Sequence, residues 1–175
     1  MYNVQVEIKH VDMTESFICG YLRIEGTVPL TFLPNTQLSA GRRKLANPEP
    51  PHPTGLTNEH PTLTTYFEGE IIGTKYTFQT RHAEWGSNEK VDMHHWNRFP
   101  AWKPLARQAR RQPDFSFRDY ASRDALFMRW KEYFLVPDHR VRTISGASFE
   151  GFYYICFSQV KGTVSGIYFH SKSEK

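Results

Sequence analysis

Cysteine is scarce in this chain, with Cys19 and Cys156 alone among 175 residues. Each lies in an apolar stretch with no cysteine nearby. That excludes a disulfide scaffold and a Cys-rich zinc site, and leaves two reduced core thiols. Long apolar runs are also missing. No segment nears the ~18–20 consecutive apolar residues of a membrane span. The start, Met1-Tyr2-Asn3-Val4-Gln5-Val6-Glu7, has no basic region followed by an apolar one, as a secretion signal would. The expected location is therefore the cytoplasm or the nucleus, without a membrane span. Signatures of catalysis are missing as well: no P-loop, GxSxG, HExxH or CxxC occurs. Ser145-Gly146-Ala147-Ser148 is too short for a phosphate loop and reads as a hairpin turn. His94 and His95 are neighbours in an expected helix, project about 100° apart and cannot share a metal, so they read as a surface pair. No metal, no cofactor and no enzyme activity is expected, because no paired acid and base stands out.

What is present is globular in character. Charged residues make up 23% and aromatic residues 15%, too many large rings for a disordered chain. The net charge of +4 invites a nucleic-acid reading. Much of the excess, however, sits in Arg42-Arg43-Lys44 and in Arg107, Arg110 and Arg111, and neither group is interleaved with aromatics for base stacking. Both read as solvated basic faces, and nucleic acid is not an expected partner.

Along the chain, Tyr2, Val4, Val6, Ile8 and His10 alternate with polar residues, the period of a half-buried strand. Residues 17–26 supply an antiparallel partner. Residues 27–54 hold six of the eleven prolines and a basic run, which excludes a helix or a central strand and reads as a disordered insertion. Strand character returns over 63–72, turns at 73–75 and is expected to return through 76–81 as a second hairpin. Residues 87–112 read as helical, capped by Ser87 or Asn88 and broken at Pro100 and Pro104. Further strands are expected over 125–136, 152–157 and 163–170. The expected fold is one all-β domain over 1–175, an antiparallel up-and-down β-barrel of about eight strands with helical insertions.

Residues 126–136 carry the most information. One face reads Leu126, Met128, Trp130, Glu132, Phe134 and Val136, while Arg129 and Lys131 point away with Phe127 and Tyr133. A single carboxylate therefore sits on an apolar face. It sits at a barrel mouth, or on a bulge that returns it to water, or it faces a cavity and awaits a cation from a ligand. A barrel of this size can hold one small ligand. Tyr153 and Tyr168 lie on strands where a hydroxyl could assist the carboxylate, or could simply reach water from the core or rim.

Three segments carry a resemblance: residues 61–72, residues 127–139 from Phe127-Met128-Arg129-Trp130-Lys131-Glu132, and residues 144–157 from Ile144-Ser145-Gly146-Ala147-Ser148-Phe149. Together they closely resemble the vacuolar import and degradation family, in order and over nearly the whole chain outside 27–54. The resemblance implies a substrate receptor of the multisubunit GID (CTLH) ubiquitin ligase, with the ubiquitin chemistry done by other subunits. It implies a barrel whose tunnel holds the unmodified N-terminal proline of target proteins, gluconeogenic enzymes among them, which are then degraded by the proteasome. By resemblance, Glu132 binds the substrate's α-ammonium and Tyr153 touches the same nitrogen. Gly146, Ser148 and Phe149 come from a loop over the site, Tyr168 from the last strand, and Val4, Leu56, Leu63, Leu135 and Ile144 give apolar wall. Leu135 faces away from Glu132 in a regular strand, so its implied role requires a bulge or strand end. The family also has an earlier strand bearing a glutamine contact and a tail that docks on the scaffold subunit. By that pattern, the chain ending at Lys175 is expected to bind peptide but to join the ligase weakly. The reading from a different class is a lipocalin-like barrel carrying a small apolar ligand, which would need an interior without such a carboxylate.

Overall fold

A computed structural model describes residues 3–25, 36–39, 62–112, 114–115, 117–140 and 151–172. Seven antiparallel strands form one sheet: β1 (Asn3–Asp12), β2 (Phe17–Glu25), β3 (Thr36–Ser39), β4 (Thr62–Ile71), β5 (Ala125–Leu135), β6 (Phe152–Ser158) and β7 (Thr163–Phe169). Their order is β1-β2-β4-β5-β6-β7-β3.

The short connections follow local chemistry. Between β1 and β2, Asp12 Oδ1 accepts from the backbone N–H groups of Thr14 and Glu15, both at 2.9 Å, which closes the turn. The ladder then runs in register from Asn3↔Glu25 to Asp12↔Phe17, with one irregularity between Ile8 and His10.

The fold expectation is met in its antiparallel, all-β character and corrected in detail. Seven strands are described where about eight were expected, and the order is not simply up-and-down, because β3 crosses to the far edge beside β7. β3 also lies inside the 27–54 segment expected to be disordered, so these four residues depart from that reading. The rest of the segment lies outside the described residues. Edges β1 and β3 approach each other, but among the described residues no hydrogen-bonded ladder joins them into a closed barrel. Curvature is nonetheless strong, since Val6 of β1 and Val164 of β7 line one cavity.

Alternation divides the sheet into two faces. One carries Val4, Leu22, Ile24, Leu63, Phe67, Met128, Trp130 and Ile155, all buried. The other is covered by the insertion between β4 and β5. There Asn88 caps helix α1 (Glu89–Trp96) by accepting from Val91 N at 3.1 Å. Pro100 opens a 3₁₀ turn, and helix α2 (Ala106–Arg111) follows.

The hairpin expected at 76–81 does not form beyond a single bridge between Ile72 and Tyr76. Phe78 instead enters an aromatic cluster, with ring centroids 4.4 Å from Trp102 and 5.4 Å from Phe127, and its carbonyl accepts from Trp96 Nε1 at 2.8 Å. Asp92, fully buried, accepts from Thr80 N, Thr80 Oγ1, Ser87 Oγ and Tyr154 Oη at 2.6–2.8 Å. The insertion thus satisfies the polar groups that a strand ladder would have used.

The histidine pair is also corrected. His94 is exposed, but His95 is buried and stacks on Tyr154 at 4.7 Å. Both cysteines are free and half-buried, and burial pushes the Cys156 thiol up to about 11.

Gly69 shows how tightly the sheet is packed beneath the site. A Cβ there would lie 2.5 Å from Trp130 Cδ1 and 2.6 Å from Ile18 Cγ2. Gly69→Ala is expected to cost about 1–3 kcal/mol by overpacking, read as a lower urea midpoint. An unchanged midpoint would show that Trp130 has room to move.

Candidate functional site

The carboxylate singled out in β5 is inside the protein. Glu132 is 2% exposed and pairs across the ladder with Phe67. Its Oε1 accepts from Thr65 Oγ1 at 2.5 Å and its Oε2 from Tyr153 Oη at 3.3 Å. Among the described residues it has no ion-pair partner. Burial pushes its pKa up, against the lowering effect of the Thr65 and Tyr153 hydrogen bonds and of Lys131. Burial also holds the Tyr153 phenol well above its ordinary range, with the Glu132 charge adding to the effect, so Tyr153 stays a donor.

A bulge builds the wall around this carboxylate. Tyr66 faces Phe134 while the next residue of β4, Phe67, faces Glu132, so Tyr133 is an extra residue on β5. The phase of the strand flips there. Phe134, expected on the Glu132 face, leaves it and stacks on Tyr66 at 4.9 Å. Leu135 takes its place opposite Thr65, half-buried against the core. The bulge that the resemblance required of Leu135 is therefore present.

Other site residues are placed by register. Leu63 lies two residues from Thr65 on the same face of β4, and Val4 reaches that row through Ile24, which pairs with both. Tyr168 is opposite Tyr153, their ring centroids 5.1 Å apart. Trp130, two residues from Glu132 on the same face and paired with Tyr153, stacks on Phe67 at 4.5 Å and floors the site. Leu56, Ile144, Gly146, Ser148 and Phe149 lie outside the described residues. Thr65 is the site residue that the sequence reading missed. Its signal was a lone hydroxyl between Leu63 and Phe67 on an otherwise apolar face.

The opposite face of the same strands carries a second buried charge arrangement. Arg129, on the face away from Glu132 as its period places it, is 0% exposed, and its Nε donates to Glu70 Oε2 at 2.8 Å. Glu70 Oε1 lies 2.9 Å from His82 Nε2, and the His82 ring stacks on Trp85 at 4.4 Å. Arg129 thus pairs with Glu70 directly across the ladder and not with Glu132.

Chemically, the Glu132 carboxylate can pair with a cation that has few donors. One carboxylate oxygen is committed to Thr65, and the other has only the long Tyr153 bond to give up. Among the described residues no three His, Cys, Asp or Glu side chains are grouped to hold a metal ion.

A consequence for stability follows from the raised Glu132 pKa. Because the folded chain holds this proton more tightly than the unfolded chain, stability contributed at Glu132 is lost as pH rises through the interval between the two values. Glu132→Gln is therefore expected to stabilise the unliganded protein near neutral pH by roughly 1 kcal/mol, with the gap closing in acid. Urea midpoints across pH test this, and a gap that widens toward acid would contradict it.

The family model described as vacuolar import and degradation protein matches residues 52–175. The chain is 42% identical over 173 residues to glucose-induced degradation protein 4 homolog of Mus musculus, covering 99% of this chain and 65% of the mouse protein. It is 34% identical to GID complex substrate-recognition subunit 4 of Schizosaccharomyces pombe, over 98% of this chain and 76% of that protein. The Saccharomyces cerevisiae protein of the same name is 29% identical over 69% of this chain and 46% of its own length. The chain thus spans about two thirds of the mouse protein's length, and on a family match to most of its own length and relatives that align over nearly all of it, this chain belongs to the vacuolar import and degradation protein family.

Proposed function

We propose that this chain is the substrate receptor of a GID-type ubiquitin ligase and that it recognises a free N-terminal proline. The carrying observation is Glu132, a buried carboxylate with two hydroxyl neighbours and no cation of its own among the described residues. An N-terminal proline is a secondary ammonium with two N–H donors on a compact ring. One donor meets Glu132 Oε2, and the other meets the lone pairs of Tyr153 Oη. Leu63, Leu135 and Tyr168 take the ring and the following residues. An internal proline has neither charge nor N–H and is refused.

The names of the relatives support the receptor role, and the mouse protein's name speaks of degradation induced by glucose; the targets proposed here are gluconeogenic enzymes. In this reading, edges β1 and β3 complete a barrel around the peptide, other subunits supply catalysis, and the protein acts in the cytoplasm or nucleus.

Calorimetry against peptides that differ only in the first residue tests the proposal. The Pro-first peptide is expected to bind tightest, and to weaken in acid as Glu132 takes up a proton. Equal affinity for every first residue would remove the proposal.

A further inference from the structure

Charge is unevenly placed along this chain. Residues 98–123 hold seven of its 22 lysines and arginines but two of its 18 acids, so one stretch carries more than the whole net charge of +4. All seven cations are exposed, and none makes an ion pair with a described residue. Elsewhere exposed cations do find carboxylates, Lys9 on Glu7, Lys75 on Glu15 and Arg81 on Asp114.

Three of the seven converge on a groove. Arg111 ends α2, Arg118 and Arg123 lie in the lead into β5, and all three line an open cavity of about 800 Å³ together with Leu105, Phe115 and Phe117. The Arg123 guanidinium is held over the Phe117 ring, 4.8 Å from its centroid, which fixes its position and leaves its charge in place. Phe117 is 2% exposed and lies 6.2 Å from Phe127 of β5, so the floor of the groove is apolar and rests on the sheet. Asp114 and Asp119 share the wall, and Asp114 is already paired with Arg81.

A single surface ion pair contributes little. Three guanidiniums around one apolar-floored recess differ, because an occupant excludes water there and each planar fork takes a carboxylate through two N–H donors. Charge complementarity decides the occupant: a polypeptide whose carboxylates alternate with apolar residues sets acids on Arg111, Arg118 and Arg123 while an apolar side chain covers Leu105 and Phe115. Nucleic acid fits less well. Its charge is unbroken along the backbone and meets Asp114 and Asp119, and Phe117 is too buried to stack on a base.

We infer that this groove docks an acidic, partly apolar segment of another polypeptide. The surface is separate from the Glu132 site. It lies by the start of β5 on the Phe127 face, whereas Glu132 stands near the end of that strand and faces the other way. The inference does not depend on the proline reading.

The probe is a short, fluorescent, N-acetylated peptide in which Glu alternates with Leu and Phe. A copy with Gln for Glu and a uridine oligonucleotide are the comparisons, and anisotropy is followed with the full chain. The Glu peptide is expected to bind saturably, at least about tenfold tighter than the Gln copy, and to weaken about tenfold on going to ~0.5 M salt. Arg111→Glu with Arg118→Glu should weaken it by at least about tenfold, since like charges then face the peptide. Lys9→Glu with Lys90→Glu makes the same change in net charge outside the groove and should alter affinity less than about twofold. The inference is overturned if the Glu peptide does not saturate, if the Gln copy binds as well, or if the two double variants lose affinity alike. Tighter binding of the oligonucleotide would make the surface a nucleic-acid face, and displacement by a Pro-first peptide would place the probe at Glu132; either result also overturns it. The Gln comparison on the unmodified chain decides even where a variant fails to fold.

Discussion

N-acetylation of a proline-first peptide is expected to cost at least about 3 kcal/mol of affinity, roughly a hundredfold or more. Acetylation removes the positive charge and the last N–H of the proline nitrogen. Glu132 then remains desolvated, with Thr65 and the long Tyr153 bond as its partners among the described residues. The loss combines a missing charge-assisted bond with the cost of a buried charge left alone. Glu132→Gln keeps the size and the Thr65 contact but loses the charge, so it should weaken the free peptide strongly and the acetylated one little. The two changes are therefore expected to be non-additive, the signature of direct contact in a double-mutant cycle. Calorimetry on the four combinations decides, and additive losses would return Glu132 to a purely structural role. Because the same substitution is expected to stabilise the unliganded fold, lost binding cannot be mistaken for unfolding.

Arg129→Met is expected to do the reverse, with a loss of about 3–5 kcal/mol in stability and little change in peptide binding wherever the protein is folded. The guanidinium is completely buried and pairs with Glu70 across the β4–β5 ladder. Removing it strands a carboxylate that, among the described residues, keeps His82 as its hydrogen-bond neighbour. At roughly 2–4 °C per kcal/mol for a chain of this size, the melting temperature should fall by about ten degrees. Adding Glu70→Gln should restore part of that loss, since the double variant no longer buries an unpaired charge. If Arg129→Met melted like the parent, the ion pair would contribute nothing. A large change in peptide affinity would show that the two faces of β5 are coupled.

These two residues also separate what alternation reveals from what it conceals. Period two placed Glu132 on the face of Leu126, Met128 and Trp130, and the structure keeps it there. The same period put Arg129 on the opposite face without saying that it is buried, because a strand's alternation says which residues share a face but not what covers it. The cover is the insertion between β4 and β5, whose rings pack on Phe127. Residues 76–81 misled for a related reason. Thr and aromatic residues in alternation suit a strand, but Phe78 and Thr80 find better partners in Trp102, Trp96 and Asp92 of the same insertion.

The strand identities of β1, β2 and β4 to β7, the helical character of the insertion, and Glu132 as a lone acid on an apolar face are all legible in the order of residues along the chain. All of these rest on local periodicity and on caps and breakers that act within a few residues. Only the tertiary structure decided that β3 pairs with β7, that Thr65 and Tyr153 converge on Glu132, and that a bulge at Tyr133 turns Leu135 toward the site. Pairing partners, register shifts and the covering of a face depend on contacts between residues far apart in the chain, and a period read along one strand carries no term for them.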